Sequence, residues 1–439
     1  MNALLGGSLV RRPRPRIGSG FLVRWLAVTI FCYLFSGQAL GIRDPAGTSL
    51  GWYVYAELAL FLVSVTTAAA VWAIHGVAPR PSHSLWLFLT FGLIALFSSV
   101  RSFWPALSIV QGCLFCLVLL LAELLCNTFS CTAVLRATYY GIVSLFIVSI
   151  LIGIAFPDAY PLTVGGESGR HRLALFSYIN GDFAYMTGLG VFMGRLPAVR
   201  ARWYFQAFLM GLTIASGSRV CTCALIVIWG AIQLCKARDV RLRLAICAAG
   251  CAAVGIGLFL ENQLSSGFGA SVHQSLQAFY GSETLGQSPW ELSGRVQLWE
   301  AAAGTFGKSV LLGFGFGGAR DQLLRAMPWA GGAHNGFLEL LLTAGSAGLI
   351  SFLAGWISAI RSSFRSKTGR SALAIHCFLL VAASTAPSFT MLQYFGVFLI
   401  LCLCYWTRSL SDDDREQLVV RRPVMSAMPK DDGLVLHGR

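Results

Sequence analysis

Charged side chains are scarce in this sequence, making up 12% of its 439 residues, which is about half the share of an ordinary soluble domain. A chain so poor in charge cannot build a hydrophilic surface, and a soluble globular domain is excluded. Acidic residues are the scarcer sign, 19 Asp and Glu against 33 Lys and Arg. Their longest run, Asp412-Asp413-Asp414, lies near the C-terminus and reads as a solvated charge run rather than a metal site. The 13 cysteines include Cys113-x-x-Cys116, Cys221-x-Cys223 and Cys402-x-Cys404, all inside apolar stretches and without a second pair or histidines at zinc spacing. They read as small apolar packing residues, so neither a bound metal nor a disulfide framework is expected.

What the chain has in abundance is apolar sequence: 56% hydrophobic residues and a mean hydropathy of +0.68. Runs of about 20 apolar residues, the length a spanning helix needs, recur over 21–40, 51–74, 84–100, 103–126, 131–156, 173–194, 201–216, 219–235, 242–260, 335–360, 371–386 and 388–410. The expected fold is an all-α polytopic membrane protein with about twelve transmembrane helices. The net charge of +14 then follows from topology. Arg11, Arg12, Arg14, Arg16 and Arg24 crowd the N-terminus, Lys236, Arg238, Arg241 and Arg243 share one loop, and Arg361, Arg365, Lys367 and Arg370 share another. With an inside N-terminus all of these fall in the cytoplasm, as positive-inside bias requires. The clusters alternate with spans and lack interleaved aromatics, which argues against a nucleic-acid surface. Residues 21–40 are too long for a signal-peptide core and no small-residue cleavage site follows, so a retained first helix is expected.

This topology leaves one long polar segment outside, residues 261–334, ending at a histidine. The expected organisation is a basic cytoplasmic N-terminus over 1–20, nine helices over 21–260, the extracytoplasmic loop 261–334 with short helices, three helices over 335–410, and a cytoplasmic tail over 411–439. His334 opens the tenth span, where an imidazole reaches water while its helix enters lipid, and it is the side chain there suited to proton transfer near neutral pH. An interfacial histidine that only hydrogen-bonds a loop is the alternative. The spacing of His334, Leu338, Leu341, Gly345 and Gly348 predicts one helical face, with glycines that admit a neighbouring helix. Basic residues outside run against the topological bias and need a reason. Arg172, Arg219 and Arg295 stand at span ends or at the start of an amphipathic helix, positions from which guanidinium groups can converge on an anion at the membrane surface. Lipid-headgroup contact is the alternative for each. Ser293 is a candidate N-cap for the helix that begins near Arg295. Gly313-x-Gly315-x-x-Gly318 fits the dinucleotide fingerprint only literally, since no strand–turn–helix unit surrounds it. It reads as a turn with room for close backbone approach, with Gly315 beside the ligand. Glu123 and Arg24 lie near inner span ends and can snorkel, whereas Asp182 is placed to face the site.

Ser218-Arg219, Ser293-Gly294-Arg295 with Leu298-Trp299, Gly313-x-Gly315-x-Gly317, and His334-Asn335-x-Phe337-Leu338 through Gly345 and Gly348 occur in this order. The combination resembles the superfamily of O-antigen ligases and Wzy-type polysaccharide polymerases, over roughly residues 170–360. Arg172-x-x-Leu175-Phe176 with Asn180 resembles a further motif of that family, with Ala174 and Leu175 standing where glycine is usual and Ile179 where proline often stands. The resemblance implies a GT-C-like membrane glycosyltransferase in a bacterial inner membrane. It would act on its extracytoplasmic face, without metal or other cofactor and with inversion of the anomeric centre. The donor it implies is a polyprenyl-diphosphate-linked oligosaccharide, and the acceptor a sugar hydroxyl of a glycan or glycolipid. It implies His334 as general base and Arg219 and Arg295 on the diphosphate. Arg172, Asn335, Asp182 and Gly315 are expected at the substrate.

Two subtypes share this chemistry: a polymerase of exopolysaccharide or O-antigen repeat units, and a ligase that passes the finished glycan to the lipid A core. A ligase must dock a phosphorylated core. The long loop balances Arg295, Lys308, Arg320 and Arg325 against Glu261, Glu283, Glu291, Glu300 and Asp321, and the absence of a basic surplus favours the polymerase. A chain-length regulator and a flippase are the partner proteins this reading brings with it, and no nucleic acid is expected. The non-enzymatic alternative is a transporter or flippase for the lipid-linked glycan, since twelve spans with both ends inside also suit a transporter. Against it, the halves show no repeat and the charged groups gather outside instead of at the midplane.

Overall fold

The computed structural model describes residues 81–102, 105–157, 163–165, 171–173, 180–216, 218–236, 295–327, 332–365, 368–385 and 395–420, with isolated residues at 59, 62, 63 and 66. The expected spans 21–40, 51–74 and 242–260, and the basic termini, lie outside the described residues or almost wholly so.

The architecture is helical. Helix α1 runs His83–Ser98 and closes in a 3-10 turn, Ser99–Arg101; α2 is Pro105–Thr128 and α3 is Cys131–Ala155. A two-stranded antiparallel hairpin follows, β1 Thr163–Gly165 against β2 His171–Leu173. Then come α4 Asn180–Gly194, α5 Trp203–Ala215, α6 Arg219–Lys236, α7 Arg295–Phe306, α8 Phe316–Ala326, α9 Gly336–Ser363, α10 Leu373–Thr385 and α11 Phe395–Val420. Among the described residues, four segments are long and apolar enough to cross a membrane: His83–Arg101, Ser108–Asn127, Cys131–Ala155 and Gly336–Ser363. Shorter apolar helices cover Phe183–Gly194, Trp203–Ala215, Val220–Leu234, Gly369–Ser384 and Phe395–Leu410.

Local chemistry explains where these helices start. The Ser82 hydroxyl accepts the Leu85 amide at 3.1 Å and the Ser130 hydroxyl accepts the Ala133 amide at 3.1 Å, each satisfying a donor that the first turn would otherwise leave open. Of the sixth expected span the described helix covers Asn180–Gly194, and the expected first residue, Leu173, is paired in a strand with Thr163. Helix α11 runs on through Asp412–Asp414 to Val420, past the apolar stretch that defines its span.

The main core runs through α1 to α6 and α8 to α11, and where α1, α2, α8 and α9 meet it is aromatic. Phe91 meets Phe115, Phe352 and Phe316 edge-on, with ring centroids 5.2, 5.3 and 6.1 Å apart, and Phe88 meets Phe352 at 5.0 Å. Edge-to-face geometry adds to the area that such rings bury. The opposite side of α1 presents Trp86, Leu93, Phe97 and Val100 outward. These exposed apolar residues share a helical face, as expected of a surface solvated by lipid.

Helix α9 departs from the continuous, single-faced helix predicted from its sequence. It is broken at Gly345, where φ is 64° and ψ −168°, a backbone region that is essentially glycine's alone. His334, Leu338, Leu341, Gly345 and Gly348 therefore do not form one stripe. His334 precedes the helix, with φ at 48°, and Gly345 is the corner. The halves fold so that Phe337 and Trp356 stack with centroids 6.3 Å apart, a contact that a straight helix would forbid, since 19 residues rise about 28 Å. Gly348 does serve a close approach, lying against Phe91 of α1.

A break inside an apolar helix strands amides and carbonyls that lipid cannot satisfy. The glycine-rich turn ahead of α8 satisfies them. The Phe314 and Gly315 amides donate to the Leu342 and Thr343 carbonyls at 2.8 and 2.9 Å, and the Ser346 and Ala347 amides donate to Val310 and Leu311 at 2.8 and 3.3 Å. Gly313, with φ at 71°, has room for no Cβ, which would lie 2.6 Å from the Leu342 oxygen. The close backbone approach expected of this turn is thus made to the chain's own helix. Ser98 at the end of α1 donates to Leu312, and the Arg101 guanidinium donates to the Ser309 hydroxyl at 3.0 Å, tying the turn to the first described span.

Candidate functional site

Helices α7 and α8 and the first half of α9 form a small platform with its own core: Leu298, Ala302, Phe314, Ala319, Leu323, Ala333 and Leu342. The amphipathic face predicted for the helix at Arg295 is the face that makes this core, through Leu298 and Ala302. Helix α8, which starts inside the expected glycine turn, was not foreseen. Gly315 is its N-cap, Phe316 anchors its first turn among the core phenylalanines, and Arg325 pairs with Asp321 at 3.1 Å one turn away.

His334 stands on the edge of this platform, between two residues that are held firmly. Ala333 is fully buried. Its amide donates to the Glu339 carboxylate, and its carbonyl accepts the Trp299 indole N–H at 3.0 Å. Asn335 caps α9: its Oδ1 accepts the Phe337 and Leu338 amides at 3.0 and 3.2 Å, while its Nδ2 donates to the Ser384 carbonyl at the end of α10, 3.1 Å away. The cap satisfies two helix-end donors and fixes the direction in which the chain enters the helix. His334 itself is exposed and sits in the left-handed backbone region, which a non-glycine residue occupies only when its surroundings hold it there. An imidazole so placed can take a proton from a hydroxyl that approaches from outside the bundle.

For Arg172, Arg219, Asp182 and Arg295 the description covers the backbone and the side chains lie outside it. Arg295 is the first residue of α7, one turn before the Trp299 that reaches Ala333. Arg219 begins α6 immediately after the α5–α6 corner, where the Ser216 hydroxyl accepts the Ser218 amide at 3.2 Å. Asp182 lies in the first turn of α4, and Arg172 in β2, opposite Val164. Helices α4 and α5 run antiparallel, since Thr213 bonds Thr187 at 2.8 Å while Gln206 bonds the Gly194 carbonyl at the other end. Helix α10 sets Phe378 against Gly188 and Phe192, His376 beside Trp356 and Ser363 of α9, and Ser384 beside Asn335. The backbones of Asp182, Arg219 and Arg295 therefore gather at the end of the bundle that carries His334. Gly315 lies beneath this end: its amide is spent on Thr343, and a Cβ there would meet Ser108 and Ser99 at 2.5 and 2.8 Å.

Three residues that hold the site were given no role from the sequence: Trp299, named only within a motif, Arg320 and Glu339. Glu339 is buried, and the Arg320 guanidinium of α8 acts on its carboxylate electrostatically. It is the sole charge from Gly336 to Ile360, and a lone carboxylate in an apolar helix was the available sign. Among the described residues no group of His, Cys, Asp and Glu is arranged to hold a metal ion.

Residues 203–353 match the family model described as O-Antigen ligase, Wzy_C. The match takes in Arg219, Arg295, the glycine turn, His334 and the break at Gly345, and leaves Arg172 and Asp182 outside it. No curated protein matches the chain significantly. The match over 203–353, together with the ordered motifs it encloses, supports the resemblance of this segment to the O-antigen ligase/Wzy superfamily.

Proposed function

We propose that this chain is an inverting, metal-independent membrane glycosyltransferase that polymerises repeat units carried on a polyprenyl diphosphate. The family match implies a glycan-transferring membrane enzyme. The observation that carries the finer reading is the exposed His334, fixed on a left-handed turn at the same bundle end as the backbones of Arg219 and Arg295. His334 removes the proton from the acceptor hydroxyl as that oxygen attacks the anomeric carbon. The bond from this carbon to the diphosphate breaks on the opposite face, and polyprenyl diphosphate departs with the electron pair. Arg219 and Arg295 hold the diphosphate oxygens and stabilise the charge that develops there. Arg172 and Asp182 contribute to donor or acceptor binding from the α4–α5 side, Asn335 from beside the base, and Gly315 by shaping the platform beneath it. About twelve helices, a GT-C-like plan, an inner-membrane location and an outward-facing site complete the proposal.

Reconstitution with a defined polyprenyl-diphosphate oligosaccharide and product sizing tests it. A ladder of repeat units is expected; a single transfer to lipid A core would instead identify a ligase, and movement of intact donor between leaflets without transfer would identify a transporter. Arg219→Lys and Arg295→Lys should each impair transfer although charge is kept, because an ammonium does not reproduce the paired hydrogen bonds of a guanidinium. The loss should be similar for donors with different sugars. Wild-type rates in either lysine variant, or a defect confined to one sugar, would remove the diphosphate role. Topology is tested separately: reporter fusions after Gln233 and after Leu285 should report the cytoplasmic and outer sides respectively. The same side for both would sink the placement of the loop.

A further inference from the structure

We propose that Glu339 and Trp299 are positioning residues for His334, acting through the peptide unit of Ala333; this rests on the reading of His334 as the base. Their side chains grip that residue from both directions. The Glu339 carboxylate accepts its amide hydrogen, and the Trp299 indole donates to its carbonyl at 3.0 Å. Neither grip is a surface contact: Ala333 is 0% exposed and Glu339 6%. A carboxylate so deeply placed in an apolar helix is costly unless it is paired and hydrogen-bonded, and here it has both the Ala333 amide and the electrostatic influence of Arg320. The next residue along is His334, held at φ 48°. A backbone bend of that kind relaxes towards ordinary values when its supports are removed, and the relaxation swings the imidazole. The two supports come from different parts of the sequence, Trp299 from α7 and Glu339 from α9 itself. The Trp299 grip also couples the site to Arg295, which lies one turn earlier on the helix that carries the indole.

The test measures kcat and KM for lipid-linked oligosaccharide transfer by purified, reconstituted Glu339→Ala, Glu339→Gln and Trp299→Phe, with His334→Ala alongside. Glu339→Ala should lower kcat by about ten- to a hundred-fold, the cost of a base displaced by about an ångström, with KM changed by no more than about three-fold. Glu339→Gln keeps an oxygen that accepts the Ala333 amide and should recover most of that loss. Trp299→Phe keeps the ring but removes the N–H, and should lower kcat while leaving insertion and thermal stability close to wild type. A Glu339→Ala protein with normal kcat would overturn the proposal, as would equal losses in the Ala and Gln variants or a defect confined to KM. If Glu339→Ala does not fold, Trp299→Phe decides: unchanged kcat there overturns it. Persistent transfer by His334→Ala would strike down the base assignment, whereas its loss beside normal Glu339 and Trp299 variants would strike down only the positioning role.

Discussion

Replacing His334 by alanine should abolish measurable glycan transfer, a loss of about a hundred- to ten-thousand-fold, the range expected when a positioned general base is removed. Folding should survive the change. The side chain is exposed, and the residues on either side of it are held by bonds of their own, Ala333 to Trp299 and Glu339 and Asn335 to the first turn of α9. Alanine also relieves no clash and opens no cavity at an exposed position. The measurement is single-turnover transfer by purified protein in lipid, with size-exclusion behaviour and thermal unfolding as controls. A near-normal rate in well-folded variant protein would leave His334 as a structural residue. A defect that appears only as lost protein would do the same.

The largest effect on stability is expected at Gly345. A Cβ there would lie 2.2 Å from the Leu311 carbonyl oxygen and 2.5 Å from the Leu312 amide nitrogen, both main-chain atoms that cannot rotate aside. The backbone angles add strain for any side chain, of order 1–3 kcal/mol, and forced overpacking costs about as much again. Gly345→Ala should therefore lower the melting temperature by roughly 5 °C or more and reduce the yield of inserted protein. Gly304→Ala is the matched control, because a Cβ at this helical position in α7 meets nothing within 4 Å. Removing glycine from a helix interior gains up to about 1 kcal/mol, so the control should be neutral or stabilising. Equal melting temperatures for Gly345→Ala and wild type would show that the break is not held as described.

How much of this was readable in advance differs from place to place. The starts of α1 and α3 fall within a residue of the expected runs 84–100 and 131–156, since hydropathy is a local property. The helix at Arg295, whose expected cap Ser293 lies outside the described residues, was readable from its apolar spacing, through Leu298 and Ala302. The corner in α9 was not. Gly345 in an apolar run looks like any small residue at a helix interface, and its angles are set by Val310–Gly315, some thirty residues earlier in the chain. Helix α8 was hidden for a related reason: its glycine-rich entry signals a turn, while Phe316 gains its value only from Phe91 and Phe115 in distant helices. At the site, His334-Asn335 was legible as an ordered motif, whereas the role of Asn335 as the cap of α9 was not. Trp299 was visible only as a residue of a motif, because its partner is a backbone carbonyl thirty-four positions away.

The pairing of Val310–Gly315 with Leu342–Ala347 has a consequence for exchanging parts between related proteins. Hydropathy suggests that the long polar loop could be lifted out at its edges and another put in its place, leaving the spans untouched. The two segments instead behave as two halves of one joint, because each supplies donors to the other's acceptors. A graft that ends at His334 would bring a foreign glycine turn to a native corner, and its register would have to match residue for residue. The transferable piece therefore runs from before Ser309 to beyond Ala347, including the corner, so that an altered acceptor preference and the start of the span are inherited together.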